Sequence, residues 1–166
     1  MPQFTEDNLR RIMINPFYAI TVAPQLTAEH DPAMSEAEWV RANASLMQRM
    51  GTRQWLGHLL GALESKDDVP DERINPFRAV TIDPQFAAEH IPLIEREMWV
   101  DVNALQIRDM GTEEWLNQLL NVLNGDIVTA EEVGVASPLG GSFAYGTPGK
   151  YSRQQGKQKR RKKRPK

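Results

Sequence analysis

Residues 14–64 and 74–124 are one sequence written twice. INPFYAITVAPQLTAEHDPAMSEAEWVRANASLMQRMGTRQWLGHLLGALE aligns without a gap on INPFRAVTIDPQFAAEHIPLIEREMWVDVNALQIRDMGTEEWLNQLLNVLN, and 24 of the 51 positions are identical. Others are conservative exchanges such as Ile20/Val80 and Val22/Ile82. A duplication of this length is one supersecondary block used twice, so each repeat serves as a control on the other. Positions kept in both are those the shared fold needs. Positions that differ are free or specialised.

Each repeat predicts an extended segment, a short turn and two helices. The residue before proline avoids the helical region, so Asn15-Pro16 and Asn75-Pro76 open the repeats in extended form. The β-branched runs at 18–22 and 78–82 end before Pro24 and Pro84 and predict short strands. One or two helical turns follow, begun by those prolines. Ser35-Glu36-Ala37-Glu38 is a capping-box sequence, in which serine and the glutamate three residues on satisfy each other's free backbone donors. The helix after it carries Trp39, Asn43, Met47 and Met50 on one face, matched by Trp99, Asn103, Ile107 and Met110. Gly51 and Gly111 stand where a glycine ends a helix by taking positive φ. Thr52 and Thr112 read as N-caps of the last helix, whose apolar face is Trp55, Leu56, Leu59, Leu60 and Leu63, repeated as Trp115, Leu116, Leu119, Leu120 and Leu123.

The fold class expected is mainly α with short β-strands. It is a tandem duplication of a strand–turn–helix–helix unit, packed as a pseudo-twofold domain with the leucine faces together and followed by a disordered basic tail. Residues 1–13 form a short N-terminal helix capped by Thr5, with Leu9, Ile12 and Met13 on one side. Repeat 1 is 14–64, a charged linker (SKDDVPDER) is 65–73, repeat 2 is 74–124, and 125–166 is the Gly/Ser/Pro-rich and Lys/Arg-rich tail. Disorder is expected from about residue 135, where too little apolar surface remains to offset the entropy of ordering.

Composition narrows the chemistry. The 166 residues include no cysteine, which excludes disulfides, thiolate metal sites and a cysteine nucleophile, and suits a reducing compartment. No stretch reaches the ~20 apolar residues of a membrane span, and the N-terminus lacks the apolar core of a signal peptide. The expectation is a soluble, cytoplasmic protein without membrane contact. A net charge of −2 conceals a strong polarity: residues 150–166 carry ten Lys and Arg and no acid, leaving 10 basic and 22 acidic side chains, or −12, on residues 1–149.

Several motifs weaken when weighed against the repeat. His30 and His90 share an Ala-Glu-His context. With Glu29 and Glu89 they could offer Zn²⁺ nitrogen and oxygen ligands, yet the spacing matches no ligand motif, and a histidine closing a short helix also meets the last carbonyls. Asn43 and Asn103 fall on apolar stripes and must satisfy their amides, with backbone groups of the extended segment as the expected partners. The Asn-Pro-Phe tripeptides at 15–17 and 75–77 match a short endocytic ligand, but their identical register marks a turn with a core phenylalanine. Gly146 to Lys150 fails as a phosphate loop, because Ala144 replaces the first glycine and Tyr151 follows the lysine. A helix-turn-helix reading fails on charge: the last helix of repeat 2 shows Glu113, Glu114, Asn117, Gln118, Asn121 and Asn124 and no cation.

The tail points to a partner most directly. Lys157, Lys159, Arg160, Arg161, Lys162, Lys163, Arg164 and Lys166 lie within ten residues. Cations at this density bind phosphate backbones by counterion release, without reading sequence. Tyr145 and Tyr151 could stack on bases. The expected function is a non-enzymatic adaptor with no cofactor. Its acidic duplicated domain would bind a protein partner or self-associate, and its basic tail would contact RNA or DNA non-specifically. The alternative is a protein-only assembly module whose tail binds an acidic protein surface. A third reading is a small metal-dependent enzyme using the Glu-His pairs.

Overall fold

The computed structural model describes residues 4–129 and 132–134. Among them are five α-helices: α1 (Glu6–Ile14), α2 (Glu36–Met50), α3 (Thr52–Leu63), α4 (Arg96–Met110) and α5 (Thr112–Leu123). The helix pairs α2–α3 and α4–α5 stand sixty residues apart, as the sequence register requires.

The helix ends follow local chemistry. Thr5 caps α1 by accepting from the Asn8 N–H at 3.2 Å. The Ser35 hydroxyl accepts from the Glu38 N–H at 3.2 Å while the Glu38 carboxylate accepts from the Ser35 N–H at 2.8 Å, completing the capping box. In repeat 2 the N-cap position holds Glu95, which makes no such bond. The Thr52 and Thr112 expectation is corrected: each threonine is the first residue of its helix, and the glycine before it closes one helix and opens the next. Gly51 and Gly111 have φ of +94° and +98°. This is a region that side chains avoid, so a single glycine makes each corner.

Among the described residues no β-strand forms at 18–22 or 78–82. The Asn15 side-chain oxygen accepts from the Phe17 N–H at 2.9 Å, and Asn75 does the same for Phe77 at 3.1 Å. With proline at the first position, these Asx turns wind Pro16–Tyr18 and Pro76–Arg78 into 3₁₀ turns. The cap accounts for the turn itself. The extended stretches after the turns bond elsewhere: the Ala23 N–H donates to the Leu63 carbonyl and Asp83 to Leu123, both at 2.8 Å.

The repeats pack by exchanging segments. The N–H groups of Ala33 and Met34, just before α2, donate to the Arg78 carbonyl at 2.9 and 3.2 Å. Those of Leu93 and Ile94, just before α4, donate to the Tyr18 carbonyl at 2.8 and 3.1 Å. Each helix pair thus holds the Asn-Pro-Phe turn of the other repeat. Across the join α2 packs on α5 and α3 on α4. The leucine faces of α3 and α5 are buried in one common core.

Four tryptophans run through that core, none more than 1% exposed. Trp39 meets Trp55 edge-to-face at 6.2 Å, Trp55 meets Trp115 at 6.3 Å, and Trp115 meets Trp99 at 6.2 Å. The middle contact crosses from repeat 1 to repeat 2. Residues placed with the tail by sequence also join this body: Ile127 and Val133 are buried, and Asp126 pairs with Arg11 of α1 at 2.6 Å. The disorder expected from residue 135 lies outside the described residues.

Candidate functional site

The polar groups kept in both repeats are the natural place to look for chemistry. Asn43 on α2 and Asn103 on α4 are fully buried. Asn43 donates to the Trp39 carbonyl and to the Arg73 carbonyl, both at 2.9 Å, and accepts from Trp55 Nε1–H at 3.2 Å. Asn103 donates to the carbonyls of Trp99 (2.9 Å) and Met13 (3.0 Å) and accepts from Trp115 Nε1–H at 3.1 Å. Every donor of each amide is used. The expectation of partners in the extended segment is corrected: one carbonyl lies four residues back in the same helix, and the other belongs to the segment preceding the opposite repeat, Arg73 or Met13. Trp39 and Trp99 complete the arrangement by donating to the Asn75 and Asn15 carbonyls at 3.3 and 3.2 Å. With both amide hydrogens and the oxygen occupied, these asparagines act as connectors between helix and exchanged segment.

The histidines close the same exchange. His30 stacks on Phe77 with ring centres 3.7 Å apart, and His90 stacks on Phe17 at the same separation. Nε2 of His30 meets the Phe77 carbonyl and Nε2 of His90 meets the Phe17 carbonyl. The Nδ1 atoms lie 3.2 and 2.8 Å from the carbonyls of Ala28 and Ala88. The ring nitrogens face backbone oxygens, as expected of a histidine that closes a short turn, but in each case one of those oxygens belongs to the other repeat. Among the described residues no group of three His, Asp or Glu gathers as a metal site.

The surface is where the repeats differ. An open groove of about 230 Å³ lies between α3 and α4, lined in part by Arg53, Gly57 and Val100. Ion pairs of Arg53 with Asp101 and of Arg96 with Glu64 bridge the two helices across it. Two carboxyls sit below their usual range: Glu38, held by the Ser35 N–H and hydroxyl, and Asp71, held by the Arg73 guanidinium. Both belong to turn and cap chemistry. Neither faces the groove.

One buried position breaks the pattern. Leu46 on α2 is matched on α4 by Gln106, 9% exposed, whose amide nitrogen and oxygen have no hydrogen-bond partner. An unpaired buried amide costs about 1–3 kcal/mol. Gln106→Leu should therefore raise stability by roughly 1 kcal/mol in chemical denaturation, since Leu46 shows that the same helix position accepts leucine. A loss of stability would mean that the glutamine is used.

The tail cations Lys157, Lys159, Arg160, Arg161, Lys162, Lys163, Arg164 and Lys166 lie outside the described residues. So do Tyr145, Tyr151 and the glycine-rich stretch before them. No helix among the described residues is long and apolar enough to cross a membrane. No family model, curated protein or solved structure matches this chain.

Proposed function

We propose that the protein is a non-enzymatic adaptor in which the two repeats act as one pseudo-twofold, acidic interaction body and the basic tail contacts nucleic acid without reading sequence. The observation that carries this reading is the separation of charge: ten cations and no acid in residues 150–166, against a net −12 on everything before them. Neutralising one's own acidic surface would not require confining half of all the lysines and arginines to the last seventeen residues. Binding a regularly spaced polyanion does, because each phosphate engaged releases condensed counterions. The polar residues shared by both repeats support the same view, since their hydrogen bonds go to holding the body together. A chain without cysteine suits the cytoplasm.

Removal of residues 150–166 tests the proposal. The full chain should bind a single-stranded RNA or a DNA duplex with an affinity that falls on the order of 10³-fold between 50 and 200 mM salt, whatever the probe sequence. The shortened chain should lose that binding and keep its melting temperature. Undiminished binding by the shortened chain would refute the role given to the tail. Absence of binding by the full chain at low salt would favour the protein-only assembly module.

A further inference from the structure

The exposed faces of α2 and α4 occupy equivalent places, yet their chemistry is opposed. On α2 the solvent side carries Glu38, Arg41, Ser45 and Arg49. The same positions on α4 carry Met98, Asp101, Leu105 and Asp109. Two arginines have become aspartates, and two polar residues have become large apolar ones. Met98 and Leu105 are 54% and 52% exposed. The fold does not call for them, because repeat 1 builds the same helix with a polar face.

The two faces also fit in register. Arg41 and Arg49 are eight residues apart on one helix, and Asp101 and Asp109 are eight apart on the other; at 1.5 Å per residue both spans are about 12 Å. Between its arginines the exposed residues of α2 are Ser45 and Gln48, and the small Ser45 holds the position that Leu105 holds on α4. Among the described residues neither Arg41 nor Arg49 is in an ion pair, while Asp101 and Asp109 hold the exposed partners Arg53 and Arg108. Such solvent-exposed pairs are weak and exchange readily.

We infer that the α4 face of one molecule docks on the α2 face of a second copy. Asp101 and Asp109 would pair with Arg41 and Arg49, Leu105, midway between the aspartates, would lie over Ser45, midway between the arginines, and Met98 would border the contact. Like-on-like docking is disfavoured, since it sets aspartate against aspartate or arginine against arginine. The contact is therefore heterologous, each molecule offering one face of each kind, and it propagates head-to-tail into rings or filaments. The inference deepens the interaction half of the proposed function and rests on it, but owes nothing to the tail.

Charge-swap variants of the full chain, treated with nuclease and followed by sedimentation, test it. The native protein should self-associate in a concentration-dependent manner that weakens as salt rises. Asp101→Arg/Asp109→Arg alone and Arg41→Asp/Arg49→Asp alone should each be monomeric, and an equimolar mixture should associate again. Met98→Glu/Leu105→Ser, which installs the repeat 1 residues, should weaken association at least about tenfold without lowering the melting temperature. A monomeric native protein, or a mixture of swapped variants that stays monomeric, overturns the inference. If the native chain associates and all variants associate equally well, self-association stands and this surface is wrong. Nucleic acid binding, measured on the same samples, reports separately on the tail.

Discussion

Trp55→Ala is expected to cost about 3–5 kcal/mol, and Trp115→Ala about the same. Each indole is fully buried, touches two other tryptophans edge-to-face, and donates its N–H to a buried asparagine. Truncation removes one of the largest core side chains and leaves an asparagine oxygen unpaired. Against a total stability of about 5–15 kcal/mol for a domain of this size, either change brings the protein close to unfolding. Because the two rings touch across the repeats, the double variant should lose less than the sum of the single losses, by about 0.5–1.5 kcal/mol. Guanidinium denaturation followed by far-ultraviolet circular dichroism measures all three. Strictly additive losses would show that the contact between Trp55 and Trp115 contributes nothing of its own.

The second large effect is expected at the buried asparagines. Asn43→Ala strands the buried Trp55 N–H and removes the bond to the part-buried Arg73 carbonyl, and at about 1–3 kcal/mol for an unsatisfied buried group the loss should be about 2–3 kcal/mol. Asn103→Ala strands the Trp115 N–H and the Met13 carbonyl and should match it. Asn43→Asp separates hydrogen bonding from packing. The side chain keeps its size and can still accept from Trp55, but an oxygen now faces the carbonyls of Trp39 and Arg73. Aspartate should therefore be at least as damaging as alanine. A milder effect of aspartate would mean that shape, rather than donation to the exchanged segment, explains why the amide is kept.

Much of the body was legible from the repeat. The faces of α2 to α5, the tryptophan and leucine stripes, the capping box and the helix-ending glycines follow from 3.6-residue periodicity and local end chemistry, both of which act within a few residues. The buried asparagines were legible too, since a polar residue kept twice on an apolar stripe must have a partner. The identity of the partner was not. Arg73 and Met13 contribute carbonyl groups, which every residue has, so no side chain announces that a linker residue and the end of α1 complete the opposite helix pairs. The β-branched runs at 18–22 and 78–82 predict strands, whereas the 3₁₀ turns before them follow from the Asx turn of Asn-Pro, and no strand is present among the described residues. The packing of Ile127 and Val133 was missed because isolated apolar residues carry no period. The exchange of Arg41 and Arg49 for Asp101 and Asp109 is written in the sequence, but which of the surrounding side chains face solvent is decided by tertiary packing.

Exchange of segments has a consequence for cooperativity. If each helix pair is completed by backbone from outside its own repeat, neither repeat can open while the other stays closed. Hydrogen exchange on Trp55→Ala, under conditions where the variant remains folded, measures this directly. Amides of α4 and α5 should lose as much protection as those of α2 and α3, although the substitution lies in repeat 1. Native-like protection in α4 and α5, alongside rapid exchange in α2 and α3, would mean that the two halves are separate folding units and that the exchanged contacts do not join them.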